Sequence, residues 1–313
     1  MKRAGFIKAM VFIVLPMLFL CHSASFGAAP AQTGLTKIAE GVYSYVDAKN
    51  PSPLTSFGAN AGIVVGRDWV VVVDALTSAR EAQRFIRDIR AVTDKPIRYV
   101  VNTHHHLDHS LGNCEFVKLG ATIIAHENSK KDAQQEADTI IKRALNYGFT
   151  AEALEGTTVV IPTLTFTDAM TIDLGDRTVE LVYPGPSHTN GSILVVVPDA
   201  KVLFAGDTLF TNFHPNLRDA DIAGWTRVLD RIAAMDVQKI IPGHGPISSK
   251  QDIADMKQYL LVFDSTAREL VARSSDPDFI AAELKKALPK REYFDMFIAS
   301  NVKAKYLPKN DRK

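Results

Sequence analysis

The chain has 313 residues, of which 46% are hydrophobic and 23% charged, as is ordinary for a globular protein with a substantial core. Its formal net charge is +1, so no overall field draws it to nucleic acid or to an anionic membrane surface. The length allows one large domain or two of medium size.

The first 31 residues predict a secretory signal peptide. A basic start with Lys2 and Arg3 is followed by the apolar run 9–20 and by small residues, with an A-x-A cleavage pattern at 29–31. The apolar run is short for a membrane span, which disfavours the alternative of a retained anchor. We therefore expect an exported chain, periplasmic or secreted, with no stable membrane association after cleavage.

One cysteine, Cys114, would remain after removal of that segment. A single thiol can form neither an intrachain disulfide nor a metal–thiolate cluster, so the fold has to hold without covalent cross-links. We interpret Cys114 as a small buried side chain rather than as a nucleophile.

The first half of the mature chain alternates between strand and helix patterns. Apolar alternation and short apolar runs predict strands at 38–46, 60–65, 69–74 and 97–101, a loop at 47–58 and a helix at 78–92. In the helix, Ala82, Phe85 and Ile89 recur at three- and four-residue spacing, which is typical of one buried face.

The second half has the same character and ends in helices. Its patterns predict strands at 121–125, 171–174, 177–183, 193–197, 201–204 and 239–241 and helices at 129–146 and 223–235. Beyond Ser249 the pattern is helical to about Lys305. Strands in meanders with interposed helices predict an α/β fold in which two sheets pack between helical layers.

The strongest chemical signal is the segment THHHLDH, which holds four of the chain's nine histidines. Alternate residues of an extended segment face one side, so His104 and His106 can point at a common position while His105 faces away. Asp108 and His109 follow the predicted strand end, where a bend can bring a second set of donors close. Imidazole nitrogens beside a carboxylate suit a borderline cation, chiefly zinc.

Three further polar residues lie where a predicted strand gives way to a loop with glycine. They are His188 in PGPSHTNGS, Asp207 in AGDT and His244 in PGHGP. A lone histidine in such a loop is usually a solvated or capping residue. Three such positions after a histidine cluster instead favour one metal site assembled from several strand ends.

In this order, H-x-H-x-D-H, P-G-x-x-H-T, A-G-D and P-G-H-G resemble the motifs of the metallo-β-lactamase-fold hydrolases, over about residues 38–248. The resemblance implies an αββα sandwich at 32–249, with the metals at one edge of the paired sheets, and a helical C-terminal extension at 250–313. It also implies two Zn²⁺ ions per chain. By it, His104, His106 and His188 bind one ion, Asp108, His109 and His244 bind the second, and Asp207 bridges the two.

Within that superfamily, His106, His109 and Asp207 together resemble the glyoxalase II, lactonase and broader ester-hydrolase branch. Cysteine-liganded β-lactamases have Cys at the position of Asp207 and Arg at that of His109. The function we expect is cleavage of an ester, thioester, lactone or amide by hydroxide, because two cations lower the pKa of a shared water to about 7. Asp108 would also be catalytic, by orienting the hydroxide or passing on a proton.

Three other functions are considered. The first is β-lactam hydrolysis; the second is oxidation at one iron, as in persulfide dioxygenases, which His109 and His244 disfavour because they complete a second site. The third is a non-catalytic binding protein, which the full ligand set disfavours. The expected partner is a small-molecule substrate and not nucleic acid, and the sequence gives no oligomeric state. Asp74, at the end of a predicted strand, is interpreted either as a partner of a ligand histidine or as a turn cap.

Overall fold

The computed structural model describes Met1 and residues 34–308, so residues 2–31 of the predicted signal peptide lie outside the described residues. The first of two sheets contains β1 (Thr36–Ala39), β2 (Val42–Ser44), β3 (Gly62–Val65), β4 (Val70–Val73), β5 (Ile97–Val101), β6 (Thr122–His126) and β7 (Leu164–Phe166), in that spatial order. Strands β1 to β4 pair antiparallel, and β4 to β7 pair parallel.

The second sheet has the spatial order β12-β11-β10-β9-β8. Its strands are β8 (Ala169–Asp173), β9 (Thr178–Val182), β10 (Leu194–Val197), β11 (Val202–Phe210) and β12 (Lys239–His244). Strands β8 to β11 form an antiparallel meander, and β12 adds parallel to β11.

Helices cover the outer faces of both sheets. They are α1 (Ala79–Val92), α2 (Leu107–Ser110), α3 (Asn113–Lys118), α4 (Glu127–Glu136), α5 (Ile140–Asn146), α6 (Ile222–Ala234), α7 (Lys250–Val271), α8 (Pro277–Ala287) and α9 (Met296–Lys305). Two short 3₁₀ helices lie at Pro53–Gly58 and Pro198–Ala200. In the described part of the chain, no helix has both the length and the apolarity needed to cross a bilayer.

The layer order follows from the pleat of the strands. In β4, Val71 and Val73 belong to a buried cluster shared with the second sheet, whereas Val70 and Val72 belong to a cluster shared with Phe85 of α1. Successive side chains of a strand point to opposite faces, so a fully apolar strand is buried on both sides. The arrangement confirms the αββα fold that the sequence predicts.

The C-terminal helices pack on the second sheet. One buried cluster joins Leu203 of β11 to Trp225 of α6, Phe263 of α7, Ile280 of α8 and Ile298 of α9. The sequence therefore continues into a helical C-terminal region of several helices, as expected. The division into a domain at 32–249 and a helical extension at 250–313 stays a prediction. Residues of both ranges contribute to this buried cluster.

Several predicted elements differ in detail. The strand expected at 38–46 is two strands, because Gly41 turns the chain with a φ of +69° that glycine adopts without strain. The helix expected at 129–146 is α4 and α5, separated where the backbone N–H of Thr139 donates to the Glu136 carbonyl and closes a tight turn. Strand β7 was not predicted. Cys114 is buried, as the sequence predicts.

Candidate metal centre

All seven residues predicted to bind metal meet at one edge of the sandwich, where strands of both sheets end. The loop after β5 carries His104 and His106, α2 carries Asp108 and His109, the loop between β9 and β10 carries His188, β11 carries Asp207, and β12 ends at His244. None of the seven side chains is more than 14% exposed, so the cluster is shielded from bulk water.

The loop after β5 is a bend and not the extended strand from which the sequence argument started. The outcome for the three adjacent histidines is nevertheless the expected one. His104 and His106 belong to the cluster with His188 and Asp207. His105 does not: its Nε2 atom lies 3.6 Å from Glu136 Oε2, and it forms a separate group with His106 and Asp219. The different directions of His105 and its two neighbours therefore result from the bend and not from the pleat of a strand.

The first group of facing atoms contains three imidazole nitrogens and one carboxylate oxygen. His188 Nε2 lies 3.0 Å from His106 Nδ1 and 3.3 Å from Asp207 Oδ2. His104 Nε2 lies 3.8 Å from the same carboxylate oxygen. The four atoms thus surround one position.

The second group uses the other oxygen of the same carboxylate. Asp207 Oδ1 lies 3.1 Å from His109 Nε2 and 3.5 Å from His244 Nε2. Asp108 Oδ2 lies 3.6 Å and 3.3 Å from these two nitrogens. Asp207 therefore stands between the two groups and offers one oxygen to each.

These separations fit two cations. Two ligand atoms that are each about 2.1 Å from a tetrahedral ion lie about 3.4 Å apart, and the separations above run from 3.0 to 3.8 Å. Among the described residues, His104 Nε2, His109 Nε2 and Asp207 Oδ1 are buried and have no hydrogen-bond partner. Buried polar atoms without partners are costly, and two cations, one in each group, would satisfy all three.

Close backbone approach makes room for Asp207. Strands β11 and β12 pair at this edge, and a Cβ atom on Gly243 would lie 1.9 Å from Asp207 Oδ1. Only glycine fits at that position without displacing the carboxylate. The glycine before His244 in PGHGP is therefore part of how the centre is assembled.

Asp74 holds the first loop and one histidine. Its two carboxylate oxygens accept hydrogen bonds from the backbone N–H of Thr103 at 2.7 Å and from the Thr103 hydroxyl at 2.8 Å. The Nδ1 atom of His109 donates to the same carboxylate at 2.8 Å, which turns its Nε2 toward the second group. The partner role considered from the sequence is the one that the contacts support.

The partner of His106 was not predicted. Its Nε2 donates to Asp219 Oδ2 at 2.9 Å, and Arg218 in turn pairs with Asp219 at 2.8 Å. Asp219 follows the ligand by more than a hundred residues and lies in the loop before α6, so no local pattern connects the two. His244 is held by the carbonyl of Phe57, which accepts from its Nδ1 at 3.2 Å.

The charges of the two groups differ. Burial lowers the pKa of His104 well below its usual value and that of His188 to about 3, so both imidazoles are neutral and free to ligate. Burial also acts against protonation of His109 and His244, but the neighbouring Asp207 and Asp108 raise their pKa values, that of His244 to about 9. A cation bound there would displace these protons.

A partly open cleft lies above the centre. His106, Asp108, Asp207 and His244 lie at its floor. Its walls are mainly apolar and include Phe57, Leu107, Tyr147, Phe210, Phe294, Met296 and Phe297, with Arg143, Asn216 and Arg218 on the polar part. A mostly apolar cleft with convergent polar groups at its base is the usual form of a small-molecule site.

Other histidines lie outside the seven-residue cluster. His214 bonds through Nδ1 to the Tyr259 hydroxyl at 2.8 Å and faces Asp295 through Nε2 at 3.0 Å, which ties β11's exit to the C-terminal helices. His126 precedes α4 and accepts from the backbone N–H of Asn128 as its N-cap. Both have structural partners away from the cleft.

Comparison with known proteins agrees with this geometry. The family model described as the metallo-beta-lactamase superfamily matches residues 54–244. The chain is 28% identical over 204 residues to the acyl-coenzyme A thioesterase MBLAC2 of Bos taurus, a match that covers 59% of this chain and 72% of that protein.

Two β-lactamases are also similar to the chain. The metallo-beta-lactamase type 2 of Bacteroides fragilis is 22% identical over 255 residues, which cover 79% of this chain and 94% of that protein. The structure of a metallo-beta-lactamase from Pontibacter korlensis superposes with a TM-score of 0.57 at 23% identity, covering 74% of this chain and 99% of that one. At this identity the structural likeness concerns the fold.

Proposed function

Because the chain belongs to the metallo-beta-lactamase superfamily, we propose that it is a hydrolase that binds two zinc ions and cleaves an ester, thioester, lactone or amide bond. The observation that carries this proposal is the position of Asp207. Its Oδ2 faces His104 and His188, and its Oδ1 faces His109 and His244. A carboxylate divided in this way suits two cations held close together.

Each half of the centre would then bind one of the two ions. His104, His106 and His188 would hold one zinc ion, and Asp108, His109 and His244 the other, with Asp207 bound to both. When bound, zinc polarises a carbonyl oxygen and lowers the pKa of water, and it does so without a change of redox state.

The residues around these ligands prepare the site for that chemistry. Asp74 fixes the ring of His109, Asp219 fixes that of His106, and the Phe57 carbonyl fixes that of His244. Rings held through their second nitrogen keep their ligating atoms aimed at the centre. Asp108 lies on the floor of the cleft, where its carboxylate can orient a water molecule and take up its proton.

The ester-hydrolase branch stays our preference within the superfamily. It rests on His106, His109 and Asp207 occurring together, and the similarity to a protein named as an acyl-coenzyme A thioesterase is in keeping with it. β-Lactam hydrolysis is the second candidate, favoured by the similarity to a β-lactamase along 94% of its length. We further propose that residues 1–31 direct export and that the substrate is a small molecule.

A substrate comparison on the zinc-loaded protein tests this proposal. We expect it to hydrolyse chromogenic esters or thioesters faster than a chromogenic β-lactam, and Asp207→Ala to abolish the activity. The matched control is Asp236→Ala, which removes a carboxylate that is 84% exposed and pairs with Lys201 rather than with a predicted ligand. Faster opening of the β-lactam would favour the second candidate, and no turnover of any acyl substrate with two zinc ions bound would contradict hydrolysis.

A further inference from the structure

We propose that the cleft selects substrates that carry an extended hydrocarbon chain, and that the C-terminal segment 294–297 sets this selectivity. The inference rests on the proposed function, since it assigns the substrate of the same site. It goes beyond the superfamily match, which ends at residue 244, because part of the cleft lining that would bind the hydrocarbon chain comes from residues after 244.

The apolar side of the cleft is a continuous wall, here called the aromatic wall, formed by Phe57, Phe294, Met296 and Phe297. The rings of Phe57 and Phe294 meet edge-on with centroids 5.9 Å apart, and those of Phe294 and Phe297 lie 5.5 Å apart. Met296 leaves 59% of its surface exposed. Apolar side chains left open beside a reactive centre lose water when a hydrocarbon covers them, which favours binding.

The aromatic wall stands beside the reacting groups. The backbone carbonyl of Phe57 accepts from Nδ1 of His244, and the side chain of the same residue forms part of the wall. A hydrocarbon chain lying on the wall would therefore place its polar end near His244 and Asp108. This arrangement joins recognition of the chain to the position of the scissile bond.

The polar side of the cleft is already neutralised. Arg143 pairs with Glu136 at 2.8 Å, and Arg218 pairs with Asp219 at 2.8 Å. Both guanidinium groups already have carboxylate partners. An anionic group of a substrate would therefore gain less binding free energy from them than from an unpaired cation. The lining of the cleft that has no partner of its own is therefore mainly apolar.

The wall is fixed in place by the rest of the fold. The backbone N–H of Glu292 donates to the Asn212 carbonyl at 3.0 Å, and the N–H of His214 donates to the Tyr293 carbonyl at 2.9 Å. These bonds tie the segment before α9 to the exit of β11, the strand that carries Asp207. Because the wall is already ordered, binding of a hydrocarbon chain does not have to pay the entropy cost of ordering it.

The test measures chain-length preference on the zinc-loaded protein. One series of p-nitrophenyl esters runs from acetyl to decanoyl, and a second series of alkyl acetates varies the alcohol. Full burial of a methylene corresponds to about a fourfold gain in affinity. We expect kcat/KM to rise about tenfold or more over four added methylenes in at least one series. Equal kcat/KM along both series would overturn the proposal.

Substitutions in the wall locate the preference. In Phe297→Ala and in Met296→Gln, we expect the long-to-short ratio of kcat/KM to fall about fivefold or more. Phe279→Ala removes a ring from α8 that is 45% exposed and lies outside the cleft, and it should keep the wild-type ratio. Should Phe297→Ala fail to fold, Met296→Gln still decides, because its side chain is largely exposed; a wild-type ratio in it contradicts the role of 294–297.

Calorimetry separates this inference from the proposed function. Carboxylates from acetate to octanoate are titrated into the zinc-loaded protein, with no turnover required. Affinity that rises with length while no ester, thioester, lactone or amide is cleaved would contradict hydrolysis and support the apolar site. Ester hydrolysis without any dependence on length, in kinetics or in binding, would support hydrolysis and contradict the apolar site.

Discussion

At the scale of single residues, the orientation of each ligand histidine depends on the contact made by its other ring nitrogen. Asp74, Asp219 and the Phe57 carbonyl hold His109, His106 and His244. Such partners fix the ring and make the ligating nitrogen more basic, so they influence metal affinity without touching the metal.

Asp219→Asn should weaken zinc binding about 10- to 100-fold with little change in fold, because the amide is a poorer acceptor for His106 and breaks the pair with Arg218. Competition with a chromogenic chelator measures the affinity. Asp236→Asn is the control, since that carboxylate is 84% exposed and pairs only with Lys201 among the described contacts. Equal affinity in Asp219→Asn and wild type would show that His106 needs no such partner.

Asp108→Asn tests the proton-handling role. The amide cannot accept a proton, so we expect kcat for the best ester to fall by about 10²-fold or more in samples that keep two zinc ions. Metal content is measured on the same samples by mass spectrometry. Unchanged turnover at full metal content would remove Asp108 from proton transfer and leave it only a ligand.

The sequence predicts the members of the cluster but not their supports. The spacing of THHHLDH and the strand-end positions of His188, Asp207 and His244 are local signals that can be read directly. Asp219 has no such signal, because it reaches His106 through the packing of the loop before α6. The aromatic wall likewise depends on where the C-terminal helices lie.

At the scale of elements, the long helix α7 joins the C-terminal region to the second sheet. Phe263 of α7 is fully buried in the cluster that also contains Leu203 and Trp225. The side chain of Ser249 caps the helix by accepting from the N–H of Gln251 at 3.2 Å. Helix α7 is therefore part of the main core.

Phe263→Ala should destabilise the whole protein by about 3–5 kcal/mol, because it leaves a cavity in that core. We expect one shifted unfolding transition in denaturant, followed by circular dichroism. Leu261→Ala on the same helix removes a side chain that is 47% exposed and should change stability by about 0.5 kcal/mol or less. A separate early transition confined to helix loss would instead indicate that 250–313 unfolds as its own domain.

Elements were predictable where the pattern was long. Helix α1 has a capping serine, Ser78, and a buried stripe at Ala82, Phe85 and Ile89, so its sequence defines it. Strand β7 is three residues long with one buried side chain, too short for any periodicity. Strand β11 extends through Asp207 to Phe210 because it pairs with β12, which is a tertiary effect.

At the scale of the molecule, metal would link segments that are distant along the chain. The predicted ligands span residues 104–244 and come from both sheets. An ion that binds only the folded state therefore stabilises the sandwich as a whole.

Zinc at about 100 times its dissociation constant should raise the unfolding midpoint of the metal-free protein by about 5 °C or more. Differential scanning calorimetry with and without a chelator measures the shift. In Asp207→Ala the shift should be much smaller, since both groups lose a ligand. An equal shift in that variant would place the stabilising zinc elsewhere.

The most direct test of the metal centre is anomalous diffraction at the zinc edge from crystals of the zinc-loaded protein. We predict two peaks, one bonded to His104, His106 and His188 and the other to Asp108, His109 and His244, with Asp207 bonded to both. A single peak, or peaks away from these residues, would contradict the account.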